Sequence, residues 1–149
     1  MKKQQKGFTI IEVMLVLAIA GLIFLMVFIA LPALQRGQRD GQRRQDVSRF
    51  MSQINSYSTN NRGDVPSADN SRMQIFLRDY MKQQDGEFKD PQTGENYTVA
   101  FTGDPTTSKL IYQTGAKCNG EEFTTGAGTR AVAVRIALEG SGTYCQDNQ

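Results

Sequence analysis

The sequence predicts an α+β chain in which one long N-terminal helix packs on a small antiparallel sheet of three or four strands. Three observations carry this expectation. An almost wholly apolar run extends from Phe8 to Leu34. Beyond it, Val47, Phe50, Met51, Ile54 and Tyr57 recur at helical spacing. From Tyr97 onward the apolar residues instead recur at every second position, the period of a strand.

The apolar run comes first. Val13 to Leu34 holds no charged residue. At about 1.5 Å per residue, a helix of roughly 22 residues spans about 33 Å, enough to cross a bilayer core. A secretory signal has an apolar core of roughly 7–15 residues followed by a small-residue cleavage site. This run is longer, and no such site follows it. An ordinary single-pass anchor accounts for its hydropathy but not for Glu12. A lone carboxylate at membrane depth costs roughly 2.5–3.5 kcal/mol even on lenient insertion scales. It needs a cationic partner, and the run itself supplies none.

No proline falls between Pro32 and Pro66, so a single helix is expected from about Phe8 to about Asn60. Its first half is apolar all round and its second half is amphipathic. Gly21 and Pro32 are its weak points. Glycine costs about 1 kcal/mol in a helix interior, and proline removes a backbone hydrogen bond. Arg36, Arg39, Arg43 and Arg44, set against Asp40, are expected to form a solvated helix face with local pairing. Asn61 to Asn70 is a loop. It contains Arg62-Gly63-Asp64, an adhesion tripeptide short enough to occur by chance. Ser71 with Gln74 has capping-box spacing, and Met73, Phe76, Leu77, Tyr80 and Met81 form an apolar stripe. These predict a second helix from about Ser71 to Gln84, stopped by Gly86. Asp90 to Gly94 is a turn. Strands are expected around Tyr97–Phe101, Leu110–Tyr112 and Ala131–Leu138. Nine of the 14 glycines follow residue 85, as a turn-rich sheet requires.

Composition removes several chemistries. There is no histidine, which excludes Ser-His-Asp and Cys-His triads and histidine-ligated metals. The net charge is only +2, unlike the strong basic excess of a dedicated nucleic-acid binder. No phosphate-binding glycine loop and no GxSxG is present. Asp85, Glu87 and Asp90 are the best candidates for calcium, yet loop acids are usually just solvated. No catalytic residue, cofactor or metal is therefore expected.

Lys6-Gly7-Phe8-Thr9-Ile10-Ile11-Glu12, preceded by Lys2 and Lys3, resembles the processing motif of type IV pilins and pseudopilins. The resemblance implies a leader, residues 1–7, removed by a prepilin peptidase that cuts between Gly7 and Phe8 and N-methylates the new terminus. Residues 8–34 would be the membrane-spanning and assembly half of the helix. Residues 35–149 would be the globular head of a pilin fold, including the amphipathic half of the helix. Glu12 becomes the fifth residue of the mature chain, where the family keeps a glutamate. In a low dielectric it would pair with the Phe8 ammonium of a neighbouring subunit and fix the register between helices. Between positions such as Gly21 and Pro32 the family's helix can unwind in the filament. The charges flanking the apolar run nearly tie, so orientation rests on the resemblance: leader in the cytoplasm, C-terminus outside. Cys118 and Cys145 then lie on the side where disulfides persist. Closing a loop of about 28 residues is worth roughly 3.5 kcal/mol in the chain-entropy relation. The function implied is a major-like structural pilin without catalysis, a homo-oligomer in a helical filament serving motility, adhesion or DNA uptake. Its partners would be the prepilin peptidase/N-methyltransferase, the pilus assembly platform, inner-membrane lipid and a host-surface ligand. The alternatives are a pseudopilin of a type II secretion system and a single-pass membrane-anchored binding domain.

Overall fold

The computed structural model describes residues 7–149; Lys2, Lys3 and Lys6 of the expected leader lie outside the described residues. The chain divides into two compact units, the first ending at Gln35 and the second Arg36–Gln149. Helix α1, Ile10–Asn60, contributes to both. In the first unit it is an exposed apolar surface all round, and it is long and apolar enough to cross a membrane. Pro32 lies within it without ending it.

The second unit is built around the amphipathic half of α1. Val47, Phe50, Met51 and Ile54 are all buried, as the helical spacing predicts, and Tyr57 is partly buried. Helix α2, Asn70–Asp79, buries Met73, Phe76 and Leu77 against the same core. Phe50 is its aromatic centre, with ring centroids 5.3 Å from Phe76, 5.8 Å from Phe88 and 6.2 Å from Tyr112. Buried aromatic pairs of this kind add about 0.5–1.5 kcal/mol each beyond their area.

Helix α2 differs from expectation at both ends. Its cap is Asp69 rather than Ser71: the Asp69 carboxylate accepts the Arg72 N–H at 2.8 Å. Asp69 directly precedes the first helical residue, where a carboxylate best satisfies an unpaired amide. The helix stops at Asp79, with the Tyr80 N–H donating to Phe76 O at 2.9 Å; Met81 beyond it is fully buried and Lys82 is left-handed (φ 49°). A single 3₁₀ turn, Gln83–Asp85, follows and ends at left-handed Gly86.

Six strands follow: β1 Thr98–Ala100, β2 Lys109–Thr114, β3 Ala116–Asn119, β4 Glu122–Thr125, β5 Val132–Ala137 and β6 Thr143–Asp147. The main sheet has the order β1-β2-β5-β6, and β3-β4 form a separate hairpin. The four-stranded count agrees with the sequence, but the sheet is mixed. β1 pairs with β2 in parallel, whereas β2-β5 and β5-β6 are antiparallel. β1 is only three residues long, so the loop 101–108 has enough reach to bring the chain back to its starting end. The hairpin and β6 carry too little apolar alternation to be read as strands.

β5 is buried along nearly its whole length, not on alternate residues. Val132, Val134 and Ile136 face the helical core. Arg135 sits opposite Cys145 and Ile136 opposite Tyr144, so Arg135 and Cys145 share the other face. Cys145 is bonded to Cys118 of β3, and the Arg135 guanidinium lies 4.8 Å over the Phe123 ring of β4. The hairpin therefore covers this face, and the small side chains of Ala131 and Ala133 let it approach.

The arginine-rich stretch of α1 also departs from expectation. Arg43 is fully buried, not solvated. Its guanidinium donates to Asp90 Oδ1 at 2.6 and 2.9 Å, to Asp40 Oδ1 at 3.0 Å and to Glu139 Oε1 at 2.5 Å. Arg39 grips Glu139 through two further bonds of 2.8 and 2.6 Å. The backbone amides of Glu139 and Gly140 both donate to Asp40 at 2.9 Å. Asp90 and Glu87, two of the calcium candidates, are thus committed to Arg43 and to Arg49.

Arg43→Met should leave buried Asp90 without its countercharge and destabilise the head by about 3–5 kcal/mol, a shift that denaturant titration of the full chain in detergent would measure. The same cluster sets an acid limit. The hydrogen bonds from Arg39, then the one from Arg43, hold Glu139 down at about 2. Its folded value lies below the unfolded carboxylate value near 4.3. This contribution is therefore complete above that value and disappears as pH falls from about 4.5 toward 2. Arg39→Gln should flatten the fall in melting temperature across that interval.

Candidate processing and assembly site

Gly7, Phe8 and Thr9 precede α1 without regular structure, and Phe8 is 89% exposed. Gly7 before it carries no side chain, and among the described residues nothing lies within 4 Å of where one would begin. Thr9 then starts the helix. Its N–H and its hydroxyl donate to Glu12 Oε2 at 2.8 and 2.9 Å, while the Glu12 N–H donates weakly to Thr9 Oγ1 at 3.4 Å. This is a capping box, the reciprocal arrangement of a threonine and a glutamate three residues on. Its spacing stands in the sequence as Thr9-Ile10-Ile11-Glu12, but the expected pairing of Glu12 with an ammonium group obscured it. Among the described residues, Glu12 Oε1 has no hydrogen-bond partner.

Phe8 and Glu12 line one shallow hollow with Val13, Val16 and Leu17. Phe8 is here still joined to Gly7, so its nitrogen is an amide and, among the described residues, it forms no ion pair with Glu12. The arrangement does hold the Glu12 carboxylate at a fixed place on an otherwise apolar surface. Gly21 and Pro32 both lie inside continuous helix, and nothing approaches Gly21 within 4 Å.

Cys118 and Cys145 are bonded, with Cα atoms 5.8 Å apart, an ordinary separation for a disulfide. The bond ties β3 to β6. Beside it, the Cys118 N–H donates to Asp147 at 2.7 Å, and Arg135 pairs with Glu122. Among the described residues, the hairpin makes no ladder with the main sheet.

Residues 2–28 match the prokaryotic N-terminal methylation motif. This is the type IV prepilin signature, and with the long apolar helix followed by a small mixed sheet it supports the type IV pilin and pseudopilin family. Comparisons with curated proteins and with solved structures gave no match. The signature implies processing by a prepilin peptidase and filament assembly, and it fits a single-pass membrane precursor.

Because the hairpin is held mainly by the disulfide and polar contacts, Cys118→Ser should destabilise the head by about 2–4 kcal/mol. Peptide mapping without reductant should recover Cys118 joined to Cys145. Two freely alkylated thiols in surface-exposed protein would contradict it.

Proposed function

We propose that the chain is a structural subunit, a major-like pilin, of an extracellular type IV filament, with no catalysis of its own. The leader through Gly7 is cut off in the cytoplasmic membrane and the new Phe8 terminus is N-methylated. The precursor holds its N-terminus in the cytoplasm and its C-terminus outside. Losing Lys2, Lys3 and Lys6 leaves 14 of the 17 basic side chains against 15 acidic ones. One observation carries the reading: the methylation motif coincides with an exposed apolar stretch of helix, Ile10 to Leu34, whose only charge, Glu12, is held in place by Thr9.

The chemistry follows from that helix. Before assembly, lipid covers the apolar residues. During assembly the helices of neighbouring subunits replace the lipid, and the Phe8 ammonium of one subunit meets Glu12 of the next. The capping box uses Oε2, which leaves Oε1 for that contact. In hydrocarbon an unpaired charge is costly, so docking in any other register is penalised. Gly21 and Pro32 are where the helix can loosen as it bends into the filament. The disulfide-clasped C-terminal layer favours a pilin over a pseudopilin, and exposure on a filament suits motility, adhesion or DNA uptake.

Surface filaments should contain a chain that starts at N-methyl-Phe8, as intact mass and N-terminal sequencing would read. An intact Met1 terminus in filaments would sink the proposal. Glu12→Ala should insert in the membrane and be cut normally, because cleavage precedes pairing. It should then form few or no filaments, since each contact loses about 3–5 kcal/mol. Normal filament counts by electron microscopy from correctly processed Glu12→Ala would refute the assembly role. Glu12→Gln, which retains an acceptor for Thr9, separates loss of the cap from loss of the charge.

A further inference from the structure

The loop Arg62-Gly63-Asp64, where α1 ends, forms part of a cleft that neither the fold nor the proposed assembly uses. Two adjoining hollows share Asp64, Val65 and Arg72. Arg62 lines one and Arg130 the other. Among the described residues, Arg62 and Arg130 form no ion pair and their guanidinium groups donate no hydrogen bond. Arg72 has only a long contact of 3.9 Å to Asp69, whose carboxylate already caps α2.

The backbone holds these groups in place. Arg62 is left-handed (φ 59°) and Gly63 follows at φ 88°. The Gly63 N–H is fixed to Ser58 O at 2.8 Å and the Asp64 N–H to Asn61 O at 3.0 Å. A Cβ on Gly63 would come 2.9 Å from Arg130 Cζ. The missing side chain is what lets the Arg130 guanidinium lie against the loop. Three cations thus gather around one carboxylate, an arrangement that loses self-repulsion when an anion enters.

We propose that this cleft binds an acidic sugar, a saccharide bearing sulfate or carboxylate groups. The arginine forks match those oxyanions. The remaining groups match sugar hydroxyls. Thr114 and Thr129 line the cleft with hydroxyls that make no hydrogen bond among the described residues. Asp64 adds an acceptor that attracts hydroxyl donors and repels a bare anion. A nucleic-acid strand is disfavoured on two counts. Stacking needs a free aromatic face, and Tyr57, the ring in the cleft, is partly buried and packed against Phe76 and Tyr80. The chain also lacks a basic excess. The inference does not depend on filament assembly, because every contact lies within one head.

The test uses the unassembled full chain in detergent micelles, with thermophoresis as the readout. The probes are a heparin hexasaccharide, uncharged maltohexaose, sodium sulfate and a single-stranded 12-nucleotide DNA. The hexasaccharide should bind, maltohexaose should not, and sulfate should compete weakly. Arg130→Gln should weaken the hexasaccharide about tenfold, the usual loss for a charge-assisted hydrogen bond. Arg62→Gln should act similarly; if it disturbs the turn, exposed Arg130 still decides. Arg78→Gln, on the far end of α2 and paired with Asp79, should change nothing. Asp64→Asn should weaken the hexasaccharide several-fold without weakening sulfate. Tighter hexasaccharide binding by Asp64→Asn, tighter binding of DNA than of the hexasaccharide, or binding indifferent to Arg130→Gln would each overturn the proposal.

Discussion

Arg43 is the point at which the head is tied together. The apolar stripe of α1 in the head begins only at Val47, so the preceding turns have no large hydrophobic residue to pack. A buried guanidinium takes that place. It joins α1 to the turn that carries Asp90 and to the β5-β6 connection that carries Glu139. A buried ion cluster adds little net stability over an apolar one, because desolvation offsets most of its attraction. Its geometry is what matters. Three segments far apart in sequence meet only if α1 has one rotation and one axial position against the sheet. Asp40 reinforces this by accepting two amides from the β5-β6 connection. Burial works to raise its pKa, but those amides and Arg43 outweigh it and lower the net value. Asp46 runs the other way. Burial raises its pKa against the bond from Tyr97, so it does not add to the acid-labile contribution of Glu139.

The same helix serves two environments. From Ile10 to Leu34 apolar groups point in every direction, a surface that water does not tolerate as a contiguous patch of this size. From Val47 the apolar residues narrow to one stripe. Under the proposed function the first surface is covered by lipid and then by other helices, where packing and rare polar contacts replace the hydrophobic effect. Glu12 is then the rare polar contact. Its own helix already uses one oxygen, so the carboxylate has a fixed direction before any partner arrives. Preorganisation of this kind reduces the ordering cost of docking.

Elements marked by periodicity were legible in the sequence, and those set by long-range pairing were not. Val47, Phe50, Met51 and Ile54 announce the buried face of α1 because helical spacing is local. Val132, Val134 and Ile136 announce β5 for the same reason. Arg43 gave no such signal. An arginine among glutamines and other arginines looks solvated, and its partners Asp90 and Glu139 lie some 50 and 100 residues away. Ser71 looked like the cap of α2 because Gln74 follows at the right spacing, while Asp69 is tied by Ser67 and wins by position. The hairpin β3-β4 was hidden because its residues are polar: its burial is supplied by the face it covers, not by its own side chains. The N-terminal methylation motif was the clearest feature of all, since its basic residues, Gly7, Phe8 and Glu12 stand together over a few positions.

The hairpin shows how the C-terminal layer depends on the disulfide. A second layer on a sheet normally stays in place through apolar burial. Here Ala116 is the only fully buried apolar residue of β3 and β4, and Phe123 is half-covered. On β5 the face beneath is alanine apart from Arg135, whose Nε lacks a partner, and Ile111 of β2 lies buried opposite that arginine. Small residues allow close approach but contribute little area, so their hydrophobic contribution is modest. To this are added the Arg135–Glu122 pair, exposed on the Glu122 side, the Arg135 guanidinium over Phe123, the bonds from Cys118 to Asp147 and from Thr143 to Glu121, and the covalent link. An ion pair open to solvent is worth about 0–1 kcal/mol. The crosslink limits how far the unfolded chain can open, by an amount that exceeds any one of those contacts. The β5 strand is therefore covered on one face by the apolar helical core and on the other by a layer tied down by a disulfide. Such a layer suits a location outside the cytoplasm, where the bond persists.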